Sequence, residues 1–418
     1  MEHHADDLIY DWNEVGRRHK PFGAVEFFDE TLRDGLQNPS VRDPSIGEKL
    51  ELVHLMDSIG IHAADIGLPG STKRAYDDVL RMCQEIVSSK LKVRPAAAGR
   101  TVVADIAPMV EISQKAGIPL EVYTFIGSSP IRLFAENWDV ERLLKTSAEA
   151  IDFAVKNGLP VAYVTEDTIR SRPEALAALF KNAVDHGASR LCLCDTVGHA
   201  TPDGVRNLIR FARNILAGMG AHHVKLDFHN HNDRGLGLVN ALIAVEEGID
   251  RVHGTAGGIG ERVGNTAMEL ILLNLKLAGA LDHQDLTNLI RYCEVASKAT
   301  AMPVPVNYPL VGADAFRTST GVHAAAIIKA HAKGDAWLAD RIYSGVPAGM
   351  FGRSQEIEIG PMSGASNVQH WLRAHRIEPE AALVQEVLRQ AKATDRLLSE
   401  AEIMATVKTY REGAVGAV

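Results

Sequence analysis

Cysteine is scarce in this chain, four residues in 418, and no two of them stand in a C-x-x-C pair. Cys83, Cys192, Cys194 and Cys293 are therefore expected to be buried, reduced thiols, which suits a reducing cytoplasm. Long basic runs are missing as well, and with a net charge of −9 the chain is not expected to bind nucleic acid. No stretch approaches the roughly 20 apolar residues that span a bilayer. The N-terminus, MEHHADDLIYDWNEVG, lacks a basic segment followed by an apolar one, so no signal peptide is expected. His3 and His4 are too short a tract to hold a metal. What remains is 46% apolar and 23% charged, the composition of a globular protein with ample core material, one large domain and a smaller one.

Between about residues 23 and 280, short β-rich runs alternate with longer helical patterns. The expected strands are 24–31, 62–68, 92–99, 120–126, 160–167, 189–196, 223–231 and 251–258. The amphipathic segment 139–158 shows the helix punctuation, Asp139 as N-cap and Gly158 just past the end. Eight such units in about 250 residues predict an α/β fold, a (β/α)8 TIM barrel, preferred to a doubly wound sheet because the units are evenly spaced. Residues 1–22 read as an N-terminal extension. From 281 to 418 the pattern changes to a linker marked by Pro303, Pro305 and Pro309, then a small, mainly helical C-terminal region. Its expected helices lie near 321–332, 366–375, 379–396 and 399–411.

The stretch KLDFHNHNDRGLGL carries the chemistry. Val224, Leu226 and Phe228 alternate with Lys225, Asp227 and His229, so His229 and His231 fall on one strand face. Two imidazoles so placed grip one divalent cation, and Asp34, at the end of the first strand, offers a third ligand. Arg33–Asp34, Glu166–Asp167, Asp195–Thr196 and His229–His231 all fall at the C-terminal ends of their strands, the face on which barrel enzymes build their sites. Gly257, Gly258, Gly260 and Gly264 superficially suggest a dinucleotide loop, but no βαβ unit with a following acid accompanies them. Glycines after an eighth strand instead let backbone approach a phosphate.

Five motifs occur in order: DETLRDGLQN (29–38), TEDTIR (165–170), DTVGHATP (195–202), HNHNDRGLG (229–237) and GGIGERVGN (257–265). Together they resemble the acyl-CoA-condensing metalloenzymes, the 2-isopropylmalate, homocitrate and citramalate synthases, with hydroxymethylglutaryl-CoA lyase as a cousin. The resemblance covers roughly residues 24–370. It implies Asp34, His229, His231 and Asn265 as ligands of a divalent cation, with Zn2+, Mn2+, Co2+ and Mg2+ not distinguished. It further implies Arg33 as the group that stabilises an alkoxide, Glu166 in proton transfer, and Thr196 on the 2-oxo acid carboxylate. Gln37, Arg100, Arg132, Gly258, Gly260 and Glu261 complete the expected substrate contacts, with acetyl-CoA as co-substrate. His323, and less closely Tyr343, match acid–base residues that reach the site from the neighbouring subunit, which implies a homodimer.

The chain also departs from the synthases. Leu36 gives the DGLQN form typical of the lyase, Asp65-Ile-Gly-Leu-Pro-Gly replaces a glutamate-rich strand-two motif, and Arg132 stands near the place of a histidine. An extra guanidinium there would pair with a second carboxylate, so dicarboxylate or phosphonate substrates are an expectation. The lyase's loop cysteine is missing from 257–265, which favours condensation over cleavage. A barrel that binds metal and acyl-CoA without catalysis is the third alternative. Nothing corresponds to a leucine-sensing regulatory domain, and feedback of that kind is not expected.

Overall fold

The computed structural model describes residues 8–13, 15, 16 and 22–415; His3 and His4, and most of the expected N-terminal extension, lie outside them. Eight parallel strands close into a barrel in sequential order. They are β1 (Glu26–Asp29), β2 (Ala63–Asp65), β3 (Arg94–Arg100), β4 (Glu121–Gly127), β5 (Val161–Glu166), β6 (Arg190–Asp195), β7 (Lys225–Asn230) and β8 (Arg251–Gly254). Closure is made by β1 against β8, with Phe28 opposite His253 and Asp29 opposite Gly254.

The helices between strands form for local reasons. Ser45 and Glu48 make a reciprocal capping box at Ile46–Ser58, and Thr72, Asp139 and Thr201 cap the helices that follow them. Each such cap contributes about 1 kcal/mol. In Lys73–Ser88 the buried residues are Val79, Met82, Cys83 and Ile86, the i, i+3, i+4, i+7 stripe that seats a helix on a barrel. Gly158 follows the helix Val140–Lys156 in the left-handed region, as its place in the sequence predicts.

Parity along the strands decides what fills the barrel. Phe28, Ala63, Ala96, Ala98, Tyr123, Ala162, Cys192 and Cys194 form one interior cluster. The small residues make room for two rings, Phe28 and Tyr123, stacked at 4.5 Å between centroids. A second interior set is charged. Arg251, only 1% exposed, donates to Glu26 Oε2 at 2.7 Å, Glu121 Oε2 at 2.8 Å and the Tyr123 hydroxyl at 2.6 Å. Asp227 accepts from Arg190 and from Tyr123, both at 2.5 Å. All four cysteines are free and buried.

Two compact units are present. The first runs to Gln284 and takes in Ala299–Met302; the second comprises Asp285–Lys298 and the chain from Pro303 onward. The second unit holds helices Gly321–Ala332, Ala336–Arg341, Ala365–Ala374, Ala381–Lys392 and Glu400–Val415. Its core is built from Ile359, Val368, Trp371, Leu372, Leu383, Val387 and Ile403 among others. No helix among the described residues is long and apolar enough to cross a membrane.

Candidate active site

The strand ends of the first unit surround a pocket of about 240 Å³. One wall is polar: Glu30, Arg33, Asp34 and Gln37 after β1, Glu166 and Thr196 after β5 and β6, His229 and His231 from β7, Glu261 and Arg262 from the loop after β8. The facing surface is Ala98, Tyr123, Phe125, Val164, Cys192 and Cys194.

Asp34, His229 and His231 are all buried, and one potential ligand atom from each lies within 4.8 Å of the others. His229 Nε2 and His231 Nε2 each stand 3.7 Å from Asp34 Oδ2. That is too long for hydrogen bonds and close to the roughly 3.0–3.5 Å between ligands that share a cation at bonds of about 2.1 Å. Asn265 joins them: its Nδ2 donates to Asp34 Oδ1 at 3.0 Å, and an isolated bridge pairs it with His231. Asn265 Oδ1 and His231 Nδ1 are buried with no hydrogen-bond partner. Buried polar atoms are ordinarily satisfied, so the orphaned Asn265 Oδ1 fits a site whose donors await an ion, while His231 turns Nε2 rather than its orphaned Nδ1 toward Asp34. Burial and the neighbouring His229 hold the His231 pKa down at about 4, leaving the neutral imidazole that metals bind. A carboxylate, two imidazoles and an amide oxygen are a donor set for a divalent cation.

The close packing has a glycine requirement. Gly260 has φ +153°, and a Cβ there would sit 2.2 Å from Asn265 Nδ2. Gly264 has φ +95°, and a Cβ would meet the Gly258 carbonyl oxygen. Gly258 and Gly260 thus fold the loop onto the carboxylate and amide. They do not line the pocket itself, though Gly260 lies against Asp34.

Arg33 sits in a ring of carboxylates: Nη2 to Glu30 Oε1 at 2.5 Å, Nε to Asp65 Oδ2 at 2.8 Å and Nη1 to Asp34 Oδ2 at 3.1 Å. Burial disfavours its charge, but Glu30, Asp65 and Asp34 outweigh that and hold its pKa well above the ordinary value. Burial acts the other way on Asp65, pushing its carboxyl up to about 7 despite Arg33. Glu30 is ionised, because His229, Arg33 and His253 overcome its burial. Glu166, at the end of β5, is raised by burial, partly offset by the charges of Arg132 and Arg33. Thr196 Oγ1 accepts from the Asp167 N–H at 2.8 Å, which leaves its hydroxyl hydrogen to donate into the pocket. Asp167 pairs with Arg170 through both carboxylate oxygens at 2.7 Å. Arg262 ties two loops together, donating to Asp233 at 2.7 and 3.0 Å and to the Thr196 carbonyl at 2.7 Å.

Two arginines expected at the pocket are engaged elsewhere. Arg100 is turned outward, 70% exposed, and grips Asp105 through Nε at 2.8 Å and Nη2 at 2.9 Å. Arg132 packs its stem where a Cβ of Gly127 would stand and pairs with Glu136 at 3.2 Å, half exposed. In both cases a carboxylate four or five residues on captures the guanidinium, and neither lines the pocket. His323 and Tyr343 belong to the second unit, where both are exposed and stack at 4.2 Å. Glu30, Asp65 and Arg262 were given no role of their own in the sequence, Asp65 being noted only as a departure in the strand-two motif. Strand parity would have found the first two, since Glu30 follows Phe28 and Asp65 follows Ala63 at a spacing of two; Arg262 carries no such signal.

Fold and site together define a (β/α)8 barrel with a buried cluster of oxygen and nitrogen donors, able to hold a cation, at the C-terminal ends of its strands. Residues 24–296 match the HMGL-like family, and the chain belongs to it. Homocitrate synthase AksA of Methanopyrus kandleri is 30% identical over 372 residues, covering 88% of this chain and 87% of that protein. The 2-isopropylmalate synthase of Oceanobacillus iheyensis is 31% identical over 312 residues, 73% of this chain but only 59% of the relative. The chain therefore spans well under two thirds of that synthase. HMG-CoA lyase of Bacillus subtilis superposes with a TM-score of 0.58 at 22% identity, over 68% of this chain and 97% of the lyase; that likeness is one of fold.

Proposed function

We propose that this protein condenses acetyl-CoA, or a related acyl-CoA, with a 2-oxo acid and hydrolyses the thioester, giving a 2-alkylmalate-type hydroxy acid and free CoA. The observation that carries this reading is the buried Asp34–His229–His231 triangle beside Arg33. Asp34, His229, His231 and Asn265 would hold a divalent cation, which would supply Lewis-acid polarisation of the 2-oxo acid. Thr196 donates its hydroxyl hydrogen to the substrate carboxylate. Glu166 takes a proton from the acyl methyl carbon; a carboxylate raised by burial is a better base than an ordinary one. The enolate carbon then bonds to the ketone carbon, and the ketone's π electrons become an alkoxide that Arg33 stabilises with a fixed guanidinium charge. Proton return to the alkoxide and attack of one water on the thioester complete the balance, releasing CoA as its thiol.

In this reading His323 and Tyr343 act from a second subunit of a cytoplasmic homodimer, with His323 taking part in acid–base chemistry. Their exposure as a stacked pair supports that role. Carbon–carbon cleavage of a 3-hydroxyacyl-CoA is the competing reading, supported by the DGLQN form and opposed by a 257–265 loop without cysteine. The test is release of CoA thiol from acetyl-CoA by cation-loaded protein, with 2-oxoisovalerate, pyruvate, 2-oxoglutarate and oxaloacetate in turn. Release that requires one acid and stops with chelator is the expected result. Thiol production that ignores every acid, or persists in chelator, overturns it.

A further inference from the structure

Glu30 touches both halves of this machinery and is assigned to neither. Its parity with Phe28 turns it into the barrel interior, where its side chain is 2% exposed. One carboxylate oxygen, Oε2, lies 2.5 Å from His229 Nδ1. The other lies 2.5 Å from Arg33 Nη2 and 3.4 Å from His253 Nδ1. His253 is anchored below, its Nε2 standing 3.2 Å from Asp227 Oδ2. Asp227 in turn is clamped by Arg190 and Tyr123. A carboxylate accepts and cannot donate, so its short contact places a hydrogen on His229 Nδ1. The lone pair of His229 then sits on Nε2, the atom that faces Asp34.

We propose that Glu30 is a positioning residue for the cation: it fixes the tautomer and plane of His229 and, through its second oxygen, holds Arg33 at a set distance from the ion. This rests on the reading of Asp34, His229 and His231 as metal ligands. Outer partners of this kind typically govern 10- to 100-fold in metal affinity. The alternative, a separate cation among Glu30, His229 and His253, conflicts with the geometry. A separation of 2.5 Å between His229 Nδ1 and Glu30 Oε2 is a hydrogen bond, shorter than the roughly 3 Å between two ligands of one ion.

Glutamine is the informative substitution because it keeps the shape and removes the double acceptor. If its Oε1 faces His229, its amide hydrogens face Arg33, and one of the two contacts is lost either way. The full chain, stripped with chelator, is titrated with Co2+ alone and followed by calorimetry and visible absorption, with the melt of the apo protein recorded beside it. Expected is one Co2+ per chain, bound about 10-fold more weakly by Glu30→Gln and up to about 100-fold more weakly by Glu30→Ala. Variants that melt lower but bind Co2+ like wild type would make Glu30 merely structural and overturn the proposal. Two Co2+ per wild-type chain, one lost in Glu30→Gln, would overturn it in favour of a second site. If wild type binds no Co2+, or Asp34→Asn binds it equally well, the metal-site reading itself fails and takes this one with it. Should the variants not fold, ¹⁵N–¹H correlations of the Zn2+-loaded wild type read the His229 tautomer directly. A hydrogen on Nε2 there would sink the idea.

Discussion

The two charged zones inside this barrel use the same chemistry to opposite ends. Below the Phe28–Tyr123 stack, Arg251, Arg190, Asp227, Glu26 and Glu121 close on one another, with Tyr123 between them. Above it, Asp34, His231 and Asn265 are equally buried, yet His231 Nδ1 and Asn265 Oδ1 have no partner. The lower zone spends most of its polar capacity on itself and stabilises the barrel, with Arg190 Nε lacking a hydrogen bond but lying 3.4 Å from Glu121. The upper zone leaves Asn265 Oδ1 unpaired beside Asp34, at a cost in folding energy that the proposed cation would offset. What sets the upper zone apart is unsatisfied polarity gathered beside two imidazoles and a carboxylate, not unsatisfied polarity as such.

Breaking the upper zone should abolish chemistry and spare the fold. Asp34→Asn or His229→Ala should lower kcat by more than the ~100-fold that removing an outer partner costs, with the far-UV circular dichroism unchanged. Breaking the lower zone should do the reverse. Arg251→Met strands Glu26, Glu121 and Asp227 and should cost about 3–5 kcal/mol of stability, read from urea unfolding, while the folded fraction still turns over. A melt within error of wild type would show that the lower network is not structural in the sense argued.

Glu166 lies between these cases. Its carboxyl is raised above the 4.5 of an ordinary glutamate, by burial, so the base form is lost at a higher pH than usual as acidity increases. The acid limb of kcat/KM should therefore lie above that value. Glu166→Gln should remove the limb and cost about 10²–10⁴ in rate; a limb that survives the substitution belongs to another group. The smallest effect is expected at Arg100. Turned outward onto Asp105, it should tolerate Arg100→Ala with turnover and melting temperature at wild-type values, and a raised KM for either substrate would contradict the placement.

Much of this was legible in the chain. Alternation in KLDFHNH put His229 and His231 on one face, the eight β-rich runs found the eight strands, and Asp34 was recognisable as their neighbour because strand ends share one rim of a barrel. Those features repeat at short range, where periodicity of two or 3.6 speaks directly. Which partner meets which side chain across the barrel is not a periodic property. Glu30 meets His229 only because β1 closes beside β8 and faces β7. Asp65 meets Arg33 because β2 lies alongside β1. Arg100 and Arg132, attractive by residue type and position, pair with Asp105 and Glu136, since a carboxylate four or five residues away costs less entropy to reach than one more distant in the chain. The sequence by itself determined the strand faces, the gathering of Asp34, His229 and His231 at one rim, and the class of chemistry. Only the closed tertiary structure decided which buried charges were cancelled and which were left open, because that depends on contacts between residues some two hundred positions apart, such as His229 and Glu30 at 199 and Asn265 and Asp34 at 231.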